Sequence, residues 1–342
     1  MTAHRVLIVG GTRFIGPRVV ESLVASRCEV TVFHRGQSEP DGFPDVRHIH
    51  GDRSDFASHR AALARVAPDV VIDMVPLRGS DAAAVIAAFG AARLVAISSQ
   101  DVYRAYGVLR RLSSGPVDPV PLAETAPLRA ELYPYRGEVA PDSPLHDYDK
   151  IPVERLVLDA GGTVLRLPAV YGAADRQHRT AAYLRPMLDG RPAILLGEQF
   201  AAWRWTRGYV DNIAAAIVLA ATETRATGRV YNLGEEVARS EAEWVGAIGR
   251  AAGWDGAVVA VPDAELPSHL RSTENFAQPL VADTGRIRAE LGYREPVERA
   301  TGLERTLRWE QVNLPAPPDD LAARYAAEDA LLSRRRRPGR VR

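Results

Sequence analysis

Short and nearly unbroken apolar runs punctuate the first half of the chain: residues 5–9 (RVLIV), 29–33 (EVTVF), 46–50 (VRHIH), 70–74 (VVIDM), 93–98 (RLVAIS) and 163–167 (TVLRL). Between them, apolar positions recur at helical spacing over residues 14–26, 57–66, 81–89 and 146–159. Strands that are Val/Ile/Leu-rich on both faces, alternating with helices of about ten residues, predict a parallel sheet covered by helices on its two faces. The chain therefore reads as α/β, doubly wound. A further strand at residues 230–233 (VYNL) is expected to return to the same sheet.

The rhythm breaks at residues 104–145, a Pro- and Gly-rich stretch too long for an ordinary connection, which reads as a lid or docking loop. Beyond residue 169 short helices mix with aromatics and arginines, as in a smaller substrate lobe. The expected division is a dinucleotide-binding domain over 1–170, carrying the 104–145 insertion and regaining residues 207–234. A C-terminal substrate lobe takes 171–206 and 235–320, and 321–342 forms a helical end with a basic, disordered tail.

Composition narrows the classes. Apolar residues at 46% and charged residues at 25% are ordinary globular values, so a sizeable core is expected. The formal net charge is zero, which argues against a global attraction to nucleic acid or anionic membrane. The tail arginines are the one local exception, and runs of that kind are mostly solvated. A single cysteine, Cys28, excludes an internal disulfide and fits a reducing cytoplasm. Neither a secretory leader nor an apolar stretch of spanning length is evident.

The first turn carries chemistry. Gly10, Gly11, Thr12, Arg13, Phe14, Ile15 and Gly16 lie between the first strand and the first helix. A turn there aims backbone N–H groups and a helix N-terminus at a pyrophosphate, and glycine lets the phosphate approach. This is the Rossmann-type arrangement. Arg13 stands where a middle glycine is expected, and the second strand ends Phe33-His34-Arg35-Gly36 with no carboxylate for a ribose 2′-hydroxyl. Arg13 and Arg35 together fit a 2′-phosphate, so NADP(H) is favoured and NAD(H) remains possible. Asp52, followed by Arg53, is placed to accept from an adenine amino group or to cap the next helix.

The chain contains one lysine, Lys150, among 43 Lys plus Arg residues. A position that keeps Lys where every other cation is Arg needs a compact, tunable ammonium, or reflects chance. Its surroundings favour the first. SSQDVY (98–103), Lys150 followed by Glu154, LRLPAVYG (165–172), RGYVDNIAAAI (207–217), VYNLG (230–234) and VADTGRIRAELGY (281–293) occur in this order after GGTRFIG. Over residues 5–312 the chain resembles the extended short-chain dehydrogenase/reductase family of sugar-nucleotide epimerases and dehydratases. GGTRF and FHRG are also similar to an atypical branch that includes chloroplast stem-loop-binding proteins.

The resemblance implies a Ser, a Tyr and a Lys at the active site, with Tyr four residues before Lys on one helix face. Ser99 and Lys150 occupy two of the positions, but residue 146 is His. Tyr148, two before Lys150 on the expected helix, faces roughly 200° away and is set aside. His146 then admits three readings: a working acid–base group, displacement of that role to another group, or loss of redox catalysis. Asp101 is the foremost substitute, where the family's dehydratases carry an acidic pair; Tyr103 and Tyr135 follow. The resemblance also places Ser98, Pro168, His34 and Arg53 on the cofactor side. On the substrate side it places Arg207 against a phosphate, with Arg271 as a second cation and Tyr103 nearby; Trp203, alternating with Trp205 about Arg204, is a candidate to line a sugar or ring pocket. Lobe core is the commoner fate of such a tryptophan.

The function read from these residues is NAD(P)-dependent hydride transfer at a secondary alcohol or ketone of a polar, sugar-like or nucleotide-linked substrate. His146 would replace the usual Tyr, in a cytoplasmic homodimer without metal. Two rivals remain: a non-redox dehydratase, lyase or isomerase using Asp101, and a cofactor-binding RNA- or partner-binding protein without redox activity.

Overall fold

The computed structural model describes residues 4–40 and 42–336. The chain runs β1 (Arg5–Val9), α1 (Ile15–Ala25), β2 (Glu29–His34), β3 (Arg47–His50), α2 (Phe56–Ala64), β4 (Val70–Asp73), α3 (Gly79–Phe89), β5 (Arg93–Ser99) and α4 (Arg104–Leu109). It continues with α5 (Lys150–Asp159), β6 (Thr163–Leu167), β7 (Ala169–Tyr171), α6 (Ala181–Leu188), β8 (Ala193–Gly197), α7 (Glu198–Ala202), β9 (Arg207–Tyr209), α8 (Val210–Thr222) and β10 (Val230–Asn232). The end comprises α9 (Glu241–Ala252), β11 (Ala257–Val261), α10 (Gly285–Leu291), α11 (Arg299–Val312) and α12 (Leu321–Arg336).

Seven parallel strands form one sheet in the order β10-β6-β5-β4-β1-β2-β3, as the alternating pattern required. Strand alternation divides the core. Val6 and Ile8 pack with Val19, Val20 and Leu23 of α1 and with Ile213 and Ile217 of α8. Leu7 and Val9 face the other way, against Phe56, Leu63, Val85 and Phe89 of α2 and α3. Because Val6–Val9 of β1 are buried on both faces, that run contains no polar residue; Arg5, at the open end, is only half-buried. VYNL returns beside β6 as expected, in register Val230↔Val164. Two small parallel pairs, β7 with β9 and β8 with β11, lie outside the main sheet.

Three expectations change. The insertion over 104–145 is packed rather than a free lid: Leu109, Leu122, Asp118 and Arg129 are all buried in it. The tail is helical through Arg336, and Arg335 pairs with Glu265 at 2.7 Å; residues 337–342 of the expected disordered tail lie outside the described residues. The helix expected over 146–159 begins only at Lys150, with Asp149 as its cap. None of the described helices is long and apolar enough to cross a membrane.

Candidate active site

A cleft of about 470 Å3 opens at the C-terminal ends of β1, β2 and β4. Its floor is the first turn. Gly10 and Gly11 hold φ of +85° and +86°, and a Cβ on Gly16 would lie 2.2 Å from the Gly11 carbonyl oxygen. Only glycine permits that crossing of backbone under the start of α1. Thr12, Arg13, Phe14 and Ile15 complete the turn, and all four line the cleft. Phe14, the residue before α1, sits at φ +50°, a strained conformation at the point where a ligand would meet the helix N-terminus.

Across the cleft, His34 ends β2, Arg35 and Ser38 follow it, and Ser38 Oγ lies 2.9 Å from Thr12 Oγ1. Asp52 and Arg53 supply the next wall. Asp52 fulfils the capping half of its expected roles, accepting from Ser54 N and Oγ at 2.8 and 2.7 Å, and still faces the cleft. Arg53 makes a bidentate pair with Asp73 at 3.0 and 2.8 Å and donates to the Val75 carbonyl. Asp73, the last residue of β4, was missed in the sequence reading; a lone carboxylate closing the otherwise apolar run VVID was its signal. The turn, its open backbone and the two exposed arginines fit a dinucleotide.

Lys150 is buried behind this wall. Its Nζ donates to the carbonyls of Pro76 and Ile97 at 2.7 and 3.0 Å, and Ile97 itself lines the cleft. Burial lowers the ammonium to about 8, against the opposing pull of Asp73 and Asp101.

The surroundings of Lys150 differ from expectation. Because α5 starts at Lys150, neither His146 nor Tyr148 is helical. His146 pairs with Asp147 at 3.1 Å on a partly exposed loop, not one helical turn before the lysine. Tyr148 is nine-tenths buried, its hydroxyl donates to Asp101 Oδ2 at 2.8 Å, and Lys150 Nζ lies 5.6 Å from its ring centre. The angular argument against Tyr148 fails with the helix it assumed. Asp101 is buried with its second oxygen, Oδ1, unpartnered. Burial raises this carboxyl above the usual range, with the bond from Tyr148 working against it. Burial likewise drives the Tyr148 phenol well up, and Asp101 reinforces the effect. Ser99 ends β5 beside them and accepts from Asp101 N at 3.2 Å.

Arg129, also missed, locks this corner from the insertion. Its Nε donates to the Asp101 carbonyl at 2.6 Å and its Nη2 reaches Asp149 at 3.4 Å, with both side chains fully buried. Asp149 in turn accepts from Ile151 N and Tyr133 N at 2.8 and 2.6 Å. Tyr135 stacks edge-on against Tyr148, with ring centres 5.4 Å apart.

The remaining expected residues do not line this cleft. Ser98 donates to Glu154, which makes a double contact with Arg166; Tyr103 is buried, with its hydroxyl between Arg166 and Asn232. Pro168 packs near Gly208 and Gly234. Arg207 is buried and pairs with Glu241 between Trp205 and Trp244, so its charge is already matched. Arg271 donates to the carbonyls of Leu266 and Ala264 at an exposed turn. Trp203 is lobe core, against Phe200, Trp205 and Phe276, with its Nε1 bonded to the Gln278 carbonyl at 2.8 Å.

The chain is similar to several known proteins. The chain is 31% identical over 245 residues to 2'-dehydrokanamycin reductase of Streptomyces kanamyceticus, covering 67% of this chain and 61% of that protein. It is 24% identical over 248 residues to the chloroplast stem-loop binding protein of 41 kDa b of Arabidopsis thaliana, covering 68% and 59%. The chain thus spans about three fifths of the length of these curated relatives. Among solved structures, a UDP-glucose-4-epimerase from Stenotrophomonas maltophila with bound NAD and formylated UDP-arabinopyranose superposes with a TM-score of 0.67 at 19% identity, over 91% of this chain and 98% of that one. With the family model matching residues 6–234, the chain belongs to the NAD-dependent epimerase/dehydratase family.

Proposed function

We propose that the protein is an NAD(P)-dependent oxidoreductase or epimerase acting at a secondary alcohol or ketone of a polar, sugar-like or nucleotide-linked substrate. The observation that carries this reading is the buried Tyr148–Asp101 hydrogen bond beside Lys150 and the cleft. The nicotinamide, when bound, supplies hydride acceptance or donation; the residues of the chain hold it and manage the proton. The glycine turn takes the pyrophosphate, and Arg13 with Arg35 favours the 2′-phosphate of NADP(H) over NAD(H).

In the oxidising direction, the substrate hydroxyl gives its proton to Tyr148 Oη as the phenol hands its own to Asp101 Oδ2. Neither group then bears an isolated buried charge, which matches the upward shift of both. Lys150 offers a nearby positive charge to the pair, and Ser99 bonds the reacting oxygen. His146, on its exposed loop, takes no part. A homodimer in a reducing cytoplasm completes the reading.

The raised, half-unpartnered Asp101 also favours a second reading, in which the carboxyl serves as the acid of a dehydratase, with no net change of oxidation state in the product. A fluorescence titration with NADPH and NADH tests both readings at once. Saturable binding, tighter for NADPH, is expected; binding of neither rejects them.

A further inference from the structure

We propose that His34, Glu39, His48 and His50 form a divalent metal site, of the tetrahedral three-imidazole, one-carboxylate kind that takes Zn2+. Strand geometry brings the histidines together. His48 and His50 are two apart on β3 and so share a face, and His34 is in register with His50 on neighbouring β2. Registered partners in a parallel pair point the same way, so the three imidazoles converge from a rigid edge of the sheet. Ring centres are 5.0 Å apart for His34 and His48, and 4.8 Å for His34 and His50. Glu39, from the connection between the strands, closes the group.

The four donor atoms all lie within 4.8 Å of one another. Glu39 Oε1 is 3.3 Å from His34 Nε2, 3.7 Å from His48 Nδ1 and 3.2 Å from His50 Nε2; His34 Nε2 and His48 Nδ1 are 2.7 Å apart. A tetrahedral zinc with bonds of about 2.0–2.1 Å needs ligand separations of about 3.3 Å. Three of these four spacings lie close to that value, and the fourth needs only a small opening. Imidazole with one carboxylate suits Zn2+, Ni2+ and Cu2+ over Mg2+ or Ca2+, which prefer all-oxygen shells.

One contact must change on loading. Gly36 N donates to His34 Nδ1 at 3.1 Å, so neutral His34 carries its proton on Nε2. Metal at Nε2 requires the other neutral tautomer: the Nε2 proton goes to solvent as Nδ1 takes one from solvent, with no net release, and the Gly36 amide turns away. His34 also lines the cofactor cleft, but the metal site does not rest on the proposed reaction.

The test is calorimetry of Zn2+ into chelator-treated, dialysed full-length protein, followed by visible absorption with Co2+. One equivalent per chain and the intense bands of tetrahedral Co2+ are expected. His48→Ala and His50→Ala should each weaken binding by about tenfold or more, while His59→Ala, outside the cluster, should leave it unchanged. Melting curves in chelator serve as the folding control, and both cluster variants should match the parent there. Absence of saturable binding, weak octahedral Co2+ bands, or equal affinity in the cluster variants would overturn the site.

Discussion

Tyr148 and Asp101 form one buried hydrogen-bonded unit, phenol donor to carboxylate acceptor at 2.8 Å, between positions 47 apart in the sequence. If this pair moves the proton, Tyr148→Phe should lower kcat by about a hundredfold or more with cofactor affinity retained. His146→Phe should keep near-parental turnover. The comparison is read from nicotinamide absorbance under saturating cofactor. The reverse result, with His146→Phe inactive and Tyr148→Phe active, would return the role to histidine.

The sheet was legible because buried parallel strands need apolar residues on both faces, and Gly10, Gly11 and Gly16 mark a turn that no other residue can make. That Ser99, Asp101 and Lys150 come together was legible from the order of motifs that the resemblance rests on. The start of α5 was not, and the error hid Tyr148. A signal was present in Pro152. In a helix begun at 146, its ring would clash with the carbonyl of Tyr148 and an interior hydrogen bond would be lost, whereas with Lys150 first it falls in the opening turn and costs none. Arg129 was hidden for another reason: in an arginine-rich chain, only tertiary contacts separate a buried guanidinium from a solvated one.

That guanidinium gives a stability prediction. Arg129→Met leaves Asp149 ionised and buried beside an apolar chain, and removing one partner of such a pair costs about 3–5 kcal/mol. Arg129→Lys should recover little, since a single ammonium cannot serve the Asp101 carbonyl, the Glu131 carbonyl and Asp149 together. Urea unfolding of the three proteins measures it. A Lys variant as stable as the parent would show that the fork geometry is dispensable.

The cofactor turn can be tested with a methyl group. Gly16→Ala places a Cβ against the Gly11 backbone at 2.2 Å, so the turn must shift and dinucleotide affinity should fall by about tenfold or more. Gly137→Ala is the matched control, because nothing lies within 4 Å of its Cβ position. Equal NADPH titrations for both variants would contradict the assignment of the turn.

Preference between cofactors should follow the two arginines lining the cleft. The double change Arg13→Ala and Arg35→Ala removes two charge-assisted donors and should weaken NADPH by about tenfold or more, with little change for NADH. Parallel loss of both affinities would mean that these side chains hold something other than the 2′-phosphate.

Burial of Lys150 makes a prediction about pH. Its ammonium titrates at about 8 in the folded protein, against 10.5 for an ordinary lysine. Between those values the unfolded chain holds a proton that the folded chain has released, so this residue makes stability rise with pH, by up to about 1.4 kcal/mol per unit. Below the folded value both states are charged and the full desolvation cost persists. The buried tyrosines act oppositely at higher pH, because their raised values let the folded state keep protons longer. Wild type alone therefore mixes the two effects, and the difference between wild type and Lys150→Met isolates the lysine. Urea unfolding of the cofactor-free proteins from about pH 7.5 to pH 10 should show that difference moving steadily in favour of wild type. A flat difference would mean that the lysine keeps its proton in the folded state, and that Asp73 and Asp101 compensate its burial.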